Sequence, residues 1–220
     1  MKLKFSPSMM LVNLLELRKE MDELTDAGCN SFHIDVMDGN YVPNITLGTM
    51  DIMAMNKVAR LPLEVHLMVN EPINILGIFN LENVSTIMIH PETCTHLHKT
   101  VAGIKRLNKR AGLVLNPGSP LVYVTELISE IECVMIMSVD PGFAGQNFID
   151  STYDKVMRLK ALIDSCNKQI EILVDGSISI KNIKRLVESG ANGFILGTAS
   201  IFQEGRDFKR NLDLLIEAIK

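Results

Sequence analysis

The chain has no tryptophan, no surplus of basic side chains, no Cys-x-x-Cys pair and no apolar run near the ~18 residues of a membrane-spanning helix. The last three absences each remove a class of protein. A net charge of -4 offers no excess of Lys and Arg for a phosphate backbone, so no nucleic-acid partner is expected, although a small anion can still bind locally. Cys29, Cys94, Cys133 and Cys166 lie far apart in a chain too long to need disulfide staples, which predicts reduced thiols and a cytoplasmic location. The apolar stretch near the N-terminus is broken by Pro7, Asn13 and Glu16, so neither export nor membrane insertion is expected.

What is present is an ordinary globular composition. The 220 residues are 47% hydrophobic and 22% charged, enough for one sizeable core and one domain over 1–220. Eight short apolar runs recur along the chain, at residues 3–5, 32–36, 63–69, 86–89, 112–115, 134–139, 170–174 and 194–196. Between them lie stretches with apolar residues three and four apart, at 14–27, 96–107, 153–163, 180–189 and 207–219, and weaker ones at 50–58, 73–79 and 120–128. Strands apolar on both faces, alternating with helices, pair in parallel because each crossover helix covers the sheet. Eight such units predict a single α/β (β/α)₈ TIM barrel at the lean end of its length range. The rival, a doubly wound open sheet, lacks its nucleotide signature, since no glycine follows the first strand in Phe5-Ser6-Pro7-Ser8-Met9.

In a barrel, chemistry gathers at the carboxyl ends of strands. Period-two alternation puts His33, Asp35 and Met37 on one face of the second strand and His66 and Met68 on one face of the third, while Asp175 ends the seventh. Singly, each has a structural explanation as a hydrogen-bonded core histidine or a helix cap. Together, four polar groups in an apolar lumen cost several kcal/mol each unless they pair or hold a cation. Two imidazoles and two carboxylates suit one divalent ion, Zn, Mn, Co or Fe. The His-x-His of metal-dependent hydrolases is missing, which ranks hydrolysis lower. Glycine-rich turns follow the late strands at Gly142 to Gly145, Gly176 and Gly197, and backbone N–H groups in such turns bind phosphate. Of the 13 methionines, Met37, Met68 and Met137 are expected to line the pocket with polarizable sulfur; Met10, Met21, Met53 and Met55 read as packing residues.

The segments Ser6-Pro7-Ser8, His33-Ile34-Asp35-Val36-Met37-Asp38-Gly39, Val42-Pro43-Asn44, His66-Leu67-Met68, Asn116-Pro117, Met137-Ser138-Val139-Asp140-Pro141-Gly142-Phe143-Ala144-Gly145-Gln146 and Val174-Asp175-Gly176 resemble the ribulose-phosphate 3-epimerase family, in family order over essentially the whole chain. The resemblance implies a barrel that inverts the third carbon of a phosphorylated ketose with one divalent metal. It implies His33, Asp35, His66 and Asp175 as metal ligands, with Asp35 and Asp175 also the catalytic acid/base pair acting through a cis-enediolate. Ser8 and His66 would touch the sugar; Gly142, Phe143, Ala144, Gly145, Gly176, Ser177, Gly197 and Thr198 would hold the phosphate. Where the ribulose-phosphate enzymes usually read G-F-G-G-Q, D-G-G and G-S, Ala144, Ser177 and Thr198 depart. With His90-Pro91-Glu92-Thr93, these variants are similar to the branch that acts on D-allulose 6-phosphate and D-fructose 6-phosphate. D-Ribulose 5-phosphate and D-xylulose 5-phosphate are the alternative pair.

Two other classes stay open at this point. A Schiff-base aldolase on the same fold would need an inward strand lysine, for which Lys4 is the candidate; a non-catalytic sugar-phosphate sensor would not need Asp35 and Asp175. A homo-oligomer is expected, with Met9, Met10, Leu11 and Val12 as an apolar contact beyond the barrel mouth.

Overall fold

The computed structural model describes residues 3–203 and 205–220. Eight parallel strands form one sheet: β1 (Lys4–Pro7), β2 (Phe32–Asp38), β3 (Leu63–Met68), β4 (Val84–Ile89), β5 (Arg110–Leu115), β6 (Cys133–Met137), β7 (Glu171–Asp175) and β8 (Gly193–Leu196). From β2 to β8 each strand pairs with the next in sequence, and β8 returns to β1. The β1/β2 seam is closed by a single parallel bridge between Ser8 and His33, which completes the (β/α)₈ ring.

Among the described residues, seven α-helices cover the outside: α1 (Leu17–Ala27), α2 (Thr49–Val58), α3 (Leu97–Arg106), α4 (Val122–Leu127), α5 (Ser151–Ser165), α6 (Ile183–Ser189) and α7 (Phe208–Glu217). Their boundaries follow local chemistry. Gly28 ends α1 in the left-handed region with φ 106°, its N–H bonded to Leu24 O and Thr25 O, and the Asp207 side chain accepts from Arg210 N at 3.0 Å to start α7. Strand alternation sorts the core into two layers. Ile34, Val65, Ile87, Leu113, Val134, Ile136, Ile172 and Phe194 face the helices, while Met88, Val114, Cys133, Met135, Leu173 and Ile195 fill the lumen.

The structure departs from sequence expectation in three places. Residues 73–79 form no α-helix but two 3₁₀ turns, Pro72–Asn74 and Leu76–Phe79, because Glu71 sits in the left-handed region (φ 50°) and Pro72 starts a segment too short to propagate. Residues 14–16 are likewise a 3₁₀ turn, with Asn13 Oδ1 accepting from Leu15 N, ahead of α1. The loop after β2 contains an unforeseen two-residue strand, Ile45–Thr46, antiparallel to Met37 and Asp38. It folds Tyr41 and Val42 over the barrel mouth, where Val42 packs with Met37 and Met68.

The expected contact surface is also different. Met9 is fully buried, Val12 is buried, and Met10 and Leu11 line the central cleft, so these residues cannot form an exposed apolar patch. Leu14, Leu15, Met50 and Met53 are exposed instead. Met21 and Met55 are core residues as expected. Lys4 sits at the amino end of β1, its ammonium paired with Glu64 and 3.3 Å from Glu171 Oε2, which removes it as a Schiff-base nucleophile at the opposite, catalytic end.

Candidate active site

Parallel register builds the site. Asp35 on β2 lies beside His66 on β3, Met37 beside Met68 one step further along, and Met137 on β6 beside Asp175 on β7, so the inward faces of four strands gather polar groups and thioethers at one end of the barrel. His33, Asp35, His66 and Asp175 each turn one donor atom to a common point, all within 4.8 Å of one another. His33 Nε2 and His66 Nδ1 each stand 3.2 Å from Asp35 Oδ1 and 3.9 Å from Asp175 Oδ2, and 3.4 Å from each other. Ser8 Oγ donates to Asp35 Oδ2 at 2.5 Å, holding the carboxylate from the β1 side.

These distances fit a cation. Donors 2.0–2.1 Å from a tetrahedral centre are separated by roughly 3.3–3.4 Å; the pairs that involve an imidazole stand 3.2–3.9 Å apart and the whole set lies within 4.8 Å, so the four atoms can close on one ion by drawing Asp175 inward. The donor chemistry agrees, with two neutral nitrogens and two oxygens matching borderline divalent metals.

The electrostatics split the two carboxyls. Burial acts to raise Asp35, but the neighbouring His33 and His66 rings outweigh it and hold the group well below the usual carboxylate range. Asp175, buried and facing the Asp35 charge, is pushed up to about 7. Burial opposes charging at His33, yet Asp35 and Asp175 raise it; His66 is lowered by burial, and His90 well below its ordinary value by burial and by His66. One carboxylate and one carboxylic acid near neutrality are a base and an acid side by side.

Above the cluster opens a cleft that is continuous with solvent. Ser8, Asp35, Met37, Met68, Met137, Gly142, Phe143, Ala144, Gly145, Asp175, Gly176, Ser177, Gly197 and Thr198 all line it, which brings every expected site residue together except the histidines. His33 and His66 are wholly buried in the floor and reach the site by their ring edges. Among the described residues, no Lys or Arg lines this cleft. Its glycine-rich end is shaped by the backbone: Gly142 and Gly145 have φ 125° and 81°, Gln146 Nε2 donates to Asp140 O at 2.6 Å and Phe143 O at 2.9 Å, and Asn44 Nδ2 donates to Gly142 O at 2.8 Å. Gly176 is required twice over, by φ 115° and because a Cβ there would stand 2.7 Å from Val139 Cγ2.

Several residues of the site escaped sequence reasoning. His90 was visible only as a motif marker after β4, yet its Nε2 lies 2.8 Å from His66 Nε2. Tyr41 packs on His90 at 4.9 Å between ring centroids and accepts from Asn116 Nδ2 at 2.6 Å. Met10, read as a packing residue, lines the cleft. The signal for His90 was its place immediately beyond a strand end; nothing local signalled Tyr41.

Comparison with known proteins extends this picture. The model of the Ribulose-phosphate 3 epimerase family matches residues 4–202. Ribulose-phosphate 3-epimerase of Bacillus subtilis is 36% identical over 205 residues, covering 93% of this chain and 94% of its own length. The chloroplastic ribulose-5-phosphate-3-epimerase of Arabidopsis thaliana is 39% identical over 196 residues, 88% of this chain and 70% of the relative. Among solved structures, 3-hexulose-6-phosphate synthase from Salmonella typhimurium superposes with a TM-score of 0.70 at 15% identity over 98% of both chains, and a tryptophan synthase alpha-subunit mutant from Pyrococcus furiosus with 0.71 at 13% identity over 99% of this chain and 97% of that one, which bears on the barrel alone. Sequence identity at this level across the whole barrel, from the first strand to the turn after the last, makes the chain a member of the ribulose-phosphate 3-epimerase family and an isomerase of phosphorylated ketoses.

Proposed function

We propose that the chain is a metal-dependent ketose-phosphate 3-epimerase in which Asp35 and Asp175 exchange the proton at the third carbon and D-allulose 6-phosphate and D-fructose 6-phosphate are the reacting pair. The observation that carries the chemistry is the convergence of two carboxyls and two buried imidazoles at the floor of a glycine-rich cleft. His33, Asp35, His66 and Asp175 would hold one Zn, Mn, Co or Fe ion, which supplies Lewis-acid stabilisation of negative charge on the oxygens of the enediolate.

This chain's own residues do the rest. A carbon acid beside a ketone loses its proton to an ionised carboxylate, and inversion requires a proton delivered from the other face by a group that still carries one. Asp35 and Asp175, the two carboxyls of the cluster, meet that requirement, one accepting the proton and the other delivering it, and the roles exchange with reaction direction. Ser8 orients Asp35. Met37, Met68 and Met137 close the apolar side with sulfur that neither donates a proton to the planar intermediate nor admits water. With no cationic side chain in the cleft among the described residues, the phosphate is held by N–H groups of the turns at Gly142 to Gly145, Gly176 and Ser177, and Thr198. The Gly197 N–H is committed to Ser200 Oγ at 3.0 Å, so the donors of that turn are the amides that follow it.

The hexulose reading rests on Ala144, Ser177 and Thr198, which depart from the ribulose-phosphate pattern and lie together at the phosphate end, where an extra carbon would be accommodated. D-Ribulose 5-phosphate is the second reading, favoured by the names of the curated relatives. Turnover of both substrates measured side by side decides: kcat/KM is expected to be higher for D-allulose 6-phosphate, and the reverse ranking assigns the pentulose. Chelation should silence the enzyme and Mn, Co or Zn restore it; full activity in metal-free protein would end the metal reading. A cytoplasmic location and self-association complete the proposal, supported by four cysteines that form no disulfide and by exposed Leu14, Leu15 and Met50. Among the described residues, no helix is long and apolar enough to cross a membrane.

A further inference from the structure

The two imidazoles of the cluster are not equivalent. His33 turns Nε2 to the carboxylates and leaves Nδ1 buried without a hydrogen-bond partner. His66 turns Nδ1 to them, and its Nε2 points away, 2.8 Å from His90 Nε2. A nitrogen–nitrogen contact that short holds one proton and one only, so one ring donates and the other accepts.

The side chains around His90 select which. Its ring is fully buried, stacked on His66 at 5.0 Å and against Tyr41 at 4.9 Å, and its backbone is fixed by Thr93 Oγ1 donating to His90 O at 2.9 Å. Its remaining nitrogen, Nδ1, is buried, has no hydrogen-bond partner and faces Glu92 Oε2 at 4.0 Å. That carboxylate is anchored through Oε1, which accepts from Ser119 Oγ. With the proton on His90 Nε2, a bare Nδ1 lone pair would face the Glu92 carboxylate at 4.0 Å, a repulsive arrangement. With the proton on His90 Nδ1, its positive end faces Glu92, His90 Nε2 becomes the acceptor, and His66 must carry its own proton on Nε2. The Nδ1 lone pair of His66 is then left facing the cluster.

We propose that His90 and Glu92 are positioning residues for the metal centre: Glu92 sets the tautomer of His90, and His90, by accepting from His66 Nε2–H, presents the His66 Nδ1 lone pair to the cation. The proposal rests on the metal reading given above. It places the control of one ligand on the loop after β4, outside the four residues that touch the ion. Groups of this kind, which hold a ligating imidazole by its far nitrogen, govern metal affinity and ring orientation.

The test is nitrogen-15 NMR of histidine-labelled, zinc-loaded protein, with zinc dissociation constants for Glu92→Leu and Glu92→Gln. In the wild type, zinc should shift His66 Nδ1 and His33 Nε2, with His66 protonated on Nε2 and His90 on Nδ1. Glu92→Leu, which removes the acceptor, should weaken zinc binding by roughly 10–100-fold. Glu92→Gln, which keeps a carbonyl acceptor, should recover much of the loss. Metal-free melting temperatures identify any general loss of structure. A zinc-bound protein with His90 protonated on Nε2, or a folded Glu92→Leu that binds zinc as tightly as the wild type, would overturn the proposal. Zinc that leaves both His33 and His66 unshifted would instead end the metal reading, and this inference with it.

Discussion

Asp175 has a 17% exposed side chain, faces a second carboxylate and holds its proton up to about 7, far above an ordinary aspartate. A carboxyl raised by folding binds its proton more tightly in the native state than in the unfolded chain. Its contribution to stability is complete in acid, falls as the pH rises from the ordinary carboxylate range towards 7, and is flat above. In metal-free protein, Asp175→Asn removes the charge that burial disfavours, so its melting temperature should exceed that of the wild type by about 4 °C or more at pH 8, with the two converging near pH 4. Differential scanning calorimetry across that range checks it. The same variant, and Asp35→Asn, should lower kcat by at least about 10²-fold, the lower end of what a positioned acid or base contributes. Loss of solvent deuterium incorporation at the third carbon is the direct readout, and an active Asp175→Asn would remove it from the acid/base pair. The four cluster residues were legible in the sequence because alternation along a strand fixes which side chains share a face. His90 was not, because it lies past the end of β4 and its contact depends on the depth of a neighbouring strand.

The strands carry their own constraint. Gly193 on β8 pairs in register with Leu173 on β7, and a Cβ at Gly193 would come within 2.2 Å of Leu173 Cδ2. Gly193→Ala should therefore destabilise the barrel by about 1–3 kcal/mol through overpacking. Leu173→Ala alone opens a cavity and costs about 2–5 kcal/mol, but in the double variant each change relieves the other, so the sum should fall well short of additive. Urea denaturation of the three variants measures the coupling; strict additivity would place the two side chains out of contact. All eight strands were visible as short apolar runs, because both faces of a parallel barrel strand are interior. The crossover after β3 was misread as helical, since apolar spacing alone does not register that Glu71 takes a left-handed backbone and Pro72 restarts the chain. The Ile45–Thr46 strand is shorter than any periodicity can report.

At the scale of the whole molecule, charge and shape answer different questions. The net charge is -4, and among the described residues the cleft is lined by glycine-rich turns and no Lys or Arg. Long-range attraction is therefore absent, and salt should not slow the encounter: kcat/KM should stay within about twofold, or rise slightly, between roughly 20 and 200 mM NaCl. A steep fall with salt would mean that cationic groups steer the substrate after all. The shape has a different weak point, because the seam between β1 and β2 has one β-bridge, at Ser8 and His33, and is otherwise held by Ser8 Oγ on Asp35, by Asn30, whose N donates to Phe5 O at 2.9 Å and whose Oδ1 accepts from Phe5 N at 2.8 Å, and by the Ser6–Ser31 hydroxyl pair at 2.5 Å. The buckle of the hoop is thus made of the residues that would grip the ion and the sugar. Whatever docks there also fastens the hoop, and amide protons along the first strand should exchange more slowly in the loaded enzyme than in the empty one.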